Sequence, residues 1–170
     1  MNPLMLGVCL ITASQTLKTA SPNVQIVKKR VAEVQTLLQT SNYPAFKLWM
    51  EANTTPDFTF RDAQGALVSR NTIVSQMKTS ILETAKVLSW TDKISNVSDH
   101  TDHVSCTVKA HQDLLIKDHR RIVEDSLAVQ TWKIVNGKPK LQSIVTTKFK
   151  AIQNGKTVLK FGISPGETFP

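Results

Sequence analysis

Glu124 and Asp125 are adjacent carboxylates inside a run of apolar and aromatic residues ending at Trp132, and acids in such a setting could do proton chemistry. A carboxyl buried among Trp, Leu and Val holds its proton to higher pH, which suits general acid or base work beside a carbonyl. Which acid would face inward depends on strand parity. The even positions Glu124, Ser126, Gln130 and Trp132 match Gln112 on the preceding strand. The odd positions Asp125, Leu127, Val129 and Thr131 are equally apolar, so both sets stay open. Tyr43, the only tyrosine, could donate to an oxyanion, although its place at a helix end favours packing.

Other reactive residue types are less well arranged. Asp99-His100-Thr101-Asp102-His103 gathers two His and two Asp, but at a hairpin tip adjacent side chains diverge, and metal ligands must converge. No metal site and no cofactor motif is therefore expected. His111 falls on the polar side of its strand, and His119 belongs to a basic turn. Cys106 alternates with polar residues as a small core residue does. Asn53-Thr54-Thr55 and Asn96-Val97-Ser98 match the glycosylation sequon, a short signal without a host.

The elements that would position these residues change period along the chain. Over 24–40 the apolar residues Val24, Val27, Val31, Val34 and Leu37/Leu38 step by three and four, one face of a helix behind Pro22. A shorter helix over 45–52 presents Phe46, Trp49 and Met50. A strand over 57–60, a turn at 62–65 and a return strand over 66–68 follow. Ser69 caps a third helix reaching about Thr84, with Ile73, Met77 and Ile81 at four-residue steps. Beyond Lys86 the period is two. Leu88, Trp90 and Ile94 mark one strand, and Val104 through Ile116 alternate along the next. Further strands span 121–135, 140–151 and 157–163, turned by Asn136-Gly137-Lys138-Pro139 and Asn154-Gly155. The fold class is α+β, with helices packed on a curved antiparallel sheet.

Pro56-Asp57-Phe58-Thr59-Phe60-Arg61-Asp62-Ala63-Gln64-Gly65, then Val68-Ser69-Arg70, and later Gln130-Thr131-Trp132-Lys133-Ile134-Val135-Asn136-Gly137-Lys138 carry a resemblance. Over about 24–150 the chain resembles the nuclear transport factor 2-like superfamily, in its SnoaL-like branch of small polyketide-cyclase-type proteins. It departs where relatives often carry Trp two residues after the hairpin Gly, for here that residue is Pro139. The resemblance implies a cone-shaped, cystatin-like roll over 22–163, a tail over 164–170 and a pocket in the cone. It implies pocket walls at Trp49, Phe58, Phe60, Trp90, Gln112, Ser126, Gln130 and Trp132. It also implies a small apolar or amphipathic ligand, and a homodimer through the outer sheet face. No complete catalytic set of the known enzymes maps onto the chain. An isomerase, dehydratase, cyclase or hydrolase using a pocket carboxylate is the alternative, and a protein-interaction module a second one.

Bulk properties set outer bounds. The 170 residues suffice for one core, and hydrophobic and charged contents of 41% and 20% are ordinary. The net charge of +8 is scattered, with no recognition helix or stacking platform, so nucleic acid is not expected as a partner. The apolar run at 4–13, including Cys9, is too short to span a bilayer. Residues 1–20 read as an export signal, giving a periplasmic or extracellular protein, or else as an N-terminal arm on a cytoplasmic one.

Overall fold

The computed structural model describes residues 20–116, 119–164 and 167–169. The proposed export signal and Cys9 lie outside the described residues. Helix α1 (Pro22–Gln39) starts where the Ser21 hydroxyl accepts from the Val24 N–H, and buries Val24, Val27, Val31 and Leu38. Helix α2 (Tyr43–Asn53) is capped by Asn42 and buries Phe46 and Met50, with Trp49 half-buried. Both helices keep the expected face because their apolar residues recur at helical spacing.

Strand β1 (Thr54–Arg61) and the short β2 (Leu67–Ser69) flank the turn at Asp62. Helix α3 (Arg70–Met77) stops earlier than expected and continues as a π-turn over Lys78–Leu82. Strict four-residue steps drift around an α-helix by about 40° each, since each residue turns about 100°. The wider π-turn takes back part of that drift and brings Ile81 to the same wall as Ile73 and Met77.

Four long strands follow: β3 (Ala85–Asp99), β4 (His103–Ile116), β5 (Arg121–Val135) and β6 (Lys138–Gln153), then the shorter β7 (Lys156–Phe161). The sheet order is β2-β1-β6-β5-β4-β3, with β7 paired to β6. The pairing is antiparallel except between β1 and β6, which run parallel, so the sheet is mixed rather than wholly antiparallel. Lys138 and Pro139 belong to strand β6, not to the turn. Asn136 and Gly137 alone form a two-residue turn with φ of 50° and 73°.

Pairing fixes which side chains share a face. Trp90, Gln112 and Glu124 lie directly opposite one another across β3, β4 and β5, and Asp92, Ala110, Ser126 and Phe149 form the next row. Leu88 departs from expectation: a bulge between Val87 and Ser89 turns it outward, 40% exposed, while Val87 and Trp90 are buried. The helices cover the inner face around Trp132, Val104 and Cys106. This is an α+β roll with a curved, open sheet. No helix among the described residues is long and apolar enough to cross a membrane.

Gly162 follows β7 at φ +65°, and a Cβ there would stand 2.0 Å from the Thr147 carbonyl oxygen, at the bulge in β6. Gly65, at φ +90°, has open space around it. Gly65→Ala should cost about 1 kcal/mol, the backbone penalty alone. Gly162→Ala should cost at least about twice that and speed amide exchange at Leu159 and Phe161. Equal denaturant midpoints for the two variants would contradict the close approach.

Candidate functional site: a cavity between the helices and the sheet

The inner face and the helices enclose a cavity of about 450 Å³. Helices α1 to α3 contribute Val31, Val34, Phe46, Trp49, Met50, Ile73 and Met77, and the sheet contributes Phe58, Phe60, Trp90, Ala128, Trp132 and Ile144. Trp49, Phe58, Phe60, Trp90, Gln112, Ser126, Gln130 and Trp132 all stand in this wall. The even set of β5 faces it because β5 pairs with β4 so that Gln112 meets Glu124 and Cys106 meets Gln130.

Polar groups in the wall gather along three neighbouring strands. Gln112 and Glu124 are opposite each other, which places their Cβ atoms about 5 Å apart, and Asp92 and Ser126 occupy the adjoining row. Burial raises the Glu124 carboxyl above its ordinary value. Burial also pushes the Asp92 carboxyl up to about 6, an effect only partly offset by the Trp90 indole N–H, which donates to Asp92 Oδ1 at 3.2 Å. The Gln112 side-chain oxygen is buried and has no hydrogen-bond partner. By contrast, Gln130 Oε1 accepts from the Trp132 indole at 3.1 Å. Asp62 and Gln64, from the β1–β2 turn, also reach the wall.

Asp125 does not belong to this cavity. It points to the opposite face of the sheet, where it bonds His111 Nδ1 at 2.8 Å and lies 3.7 Å from Lys150 Nζ. The alternation of β5 allows only one of two neighbouring acids inside. Tyr43 is also outside the wall. It packs against the core, with the Lys78 ammonium 5.3 Å above its ring. Asp92, on the other hand, was not singled out from the sequence. The signal was present: an acid at the even position between Trp90 and Ile94, in a register otherwise apolar.

The remaining reactive types are accounted for by local structure. His100 and His103 stack at 4.4 Å, and His103 Nδ1 bonds Asp102 at 2.7 Å. No group of three His, Cys, Asp or Glu converges among the described residues. Burial pushes the Cys106 thiol up to about 11, which leaves it unreactive near neutrality. Glu167 and Phe169 lie over the outer sheet face, Glu167 paired to Lys148 and the Phe169 ring near Lys109 and Lys150.

No protein-family model matches the chain, and no curated protein matches it in sequence. Solved structures do. A provisionally assigned Ca/calmodulin-dependent kinase II association domain from Exiguobacterium sibiricum is similar at TM-score 0.62 and 12% identity, over 75% of this chain and 94% of that one. An NTF2-like protein from Cytophaga hutchinsonii is similar at TM-score 0.59 and 13% identity, over 74% and 98%. A provisionally assigned scytalone dehydratase from Novosphingobium aromaticivorans is similar at TM-score 0.58 and 10% identity, over 86% and 91%. At these identities the likeness is one of fold, and the fold of this chain is that of the nuclear transport factor 2-like superfamily.

Proposed function

We propose that the chain is a SnoaL-like domain that binds a small amphipathic molecule in the cavity. The carrying observation is the contrast within one wall. A mostly apolar wall holds a polar patch at Asp92, Gln112, Glu124 and Ser126, and in it the Gln112 oxygen is desolvated with nothing donating to it. A buried acceptor left without a donor costs about 1–3 kcal/mol, and a ligand O–H or N–H would recover much of that. The aromatic wall supplies area for the ligand's apolar body.

A second reading is favoured by Asp92. A carboxyl pushed up to about 6 by burial in a mostly apolar wall suits general acid or base catalysis close to neutrality, as a cofactor-free isomerase, dehydratase, cyclase or hydrolase would need. The distinction is kinetic. Asp92→Asn would leave binding in place and remove turnover if this reading holds. Self-association through the outer sheet face is supported less well. Lys93 and Lys109 are directly opposite there, and Lys148 lies in the same row two strands further on, beyond Leu127. A two-fold contact on that face would set like charges against one another.

Native mass spectrometry of protein purified from its own host is expected to detect a co-purifying small molecule. Ala110→Trp, which puts an indole into the cavity between Asp92 and Ser126, should abolish that adduct with the thermal midpoint little changed. An adduct that survives in the filled variant would place the bound molecule elsewhere.

The acids give a second expectation that needs no ligand. A carboxyl whose folded value lies above its unfolded one binds the extra proton in the folded state, so stability falls as pH rises between the two values. For Asp92 that window runs from 3.8 to about 6, and the slope approaches about 1.4 kcal/mol per pH unit at most. Asp92→Asn should flatten the urea midpoint across this window and raise stability at pH 7. An unchanged pH profile would mean that Asp92 is solvated.

A further inference from the structure

The chain carries 21 Lys and Arg against 13 Asp and Glu, yet its cavity has the opposite sign. Asp62, Asp92 and Glu124 stand in the wall, and no Lys, Arg or His stands there among the described residues. The structure assigns a charge to the ligand: we propose that the cavity takes an organic amine, bound as its ammonium ion with an apolar, aromatic-sized body. This rests on reading the cavity as a ligand site.

Three independent features meet the needs of an ammonium group. It has up to three N–H donors and no acceptor, and the polar patch offers acceptors: the unpartnered Gln112 oxygen, the Glu124 carboxyl opposite it and Asp92 diagonally across β3 and β4. By strand spacing and rise, the Asp92 and Glu124 backbones are roughly 12 Å apart, with Gln112 on the strand between them. The walls add the indole rings of Trp90 and Trp49, and an aromatic ring attracts a desolvated cation that stands over its face. An anionic ligand would meet two acids and no compensating base. A neutral one would leave the acids nothing to ionise against.

The titration of the acids follows from their neighbours. Around Asp92, α1 contributes Gln35, whose side-chain oxygen accepts from the Asp92 backbone N–H, and the inward neighbours on β4 and β5 are Ala110 and Ser126. Around Glu124 stand Gln112 and, on β6, Ala151. Glu33 of α1 is engaged by the Trp49 indole, and Asp62 is the remaining charged wall residue. Among the described residues, therefore, no cation of the wall holds either acid ionised. An arriving ammonium does, so binding releases a proton from an acid that was still protonated. The ammonium itself stays charged throughout the range. Affinity then rises with pH up to about 6 and levels off above it, opposite in sense to the stability of the empty protein.

A matched set of probes tests this: 2-(2-naphthyl)ethylamine, the corresponding alcohol and the corresponding carboxylic acid, titrated against the full chain by tryptophan fluorescence and calorimetry. Trp49, Trp90 and Trp132 line the cavity, so each binding event has a local reporter. At pH 7 the amine should bind at least tenfold more tightly than the alcohol, and the acid weakest of all. Amine affinity should increase severalfold from pH 5 to pH 7, with proton release seen as a buffer-dependent heat. In an Asp92→Asn/Glu124→Gln variant the amine should fall to the alcohol's level while the alcohol is unchanged. If alcohol and amine bind alike at pH 7, or the acid binds best, the amine assignment is overturned and the cavity still stands as a ligand site. If none of the three binds, both fall.

Discussion

Trp90 joins the parts on which the cavity depends. Its ring is buried where α1 crosses β3, and its backbone N–H donates to the Gln39 side chain at the end of that helix. One turn earlier, Gln35 accepts from the backbone N–H of Asp92. These two bonds tie the helix to the very stretch of strand that carries the acid, so the inner face and its cover are held in one register. A buried indole also fixes parity. Moving it to the outer face would expose one of the largest apolar surfaces in the chain, a cost of several kcal/mol, on the order of the core truncations that remove such rings. Every inward residue of β4 and β5 follows from that choice through direct cross-strand pairing.

The cavity is possible because the strands bend away from the helices instead of meeting them throughout. Around Val104 and Cys106, which do not line the cavity, the inner face is fully buried beneath the helices. Toward Asp92, Glu124 and Phe149 the wall residues become smaller or polar, with Ala110 and Ser126 in the row between. Small side chains on adjacent strands leave space that large ones on the helices do not refill. Conformational order in the packed half thus supports an unfilled half, which is how a domain of this size keeps a pocket without losing its core.

Much of this was legible in the residues and some was not. The helices were readable because Val24, Val27, Val31 and Leu38 repeat at helical spacing, and β4 because its alternation is nearly unbroken. The turns Asn136-Gly137 and Asn154-Gly155 announced themselves through residue types that tolerate positive φ. The inward set of β5 was ambiguous alone, since Leu127 and Val129 make its outer face apolar too. Its neighbour decides the matter, and pairing is not a property of one strand. The parallel contact of β1 with β6 joins residues more than eighty positions apart, and local patterning carries no trace of it. Asp92 was hidden for a different reason: polar residues are assigned outward by default, and β3 breaks its own alternation at Leu88.

That break has a larger effect than its one residue suggests. Were the bulge at Leu88 absorbed into a regular ladder continuing from Val87, every later residue of β3 would exchange faces. Trp90 and Asp92 would turn to solvent, while Thr91 and Lys93 would turn in. The electrical sign of this wall of the cavity is therefore set by a kink in the backbone as much as by the side chains, for losing the bulge with every residue kept would reverse it without replacing a single residue that lines the pocket.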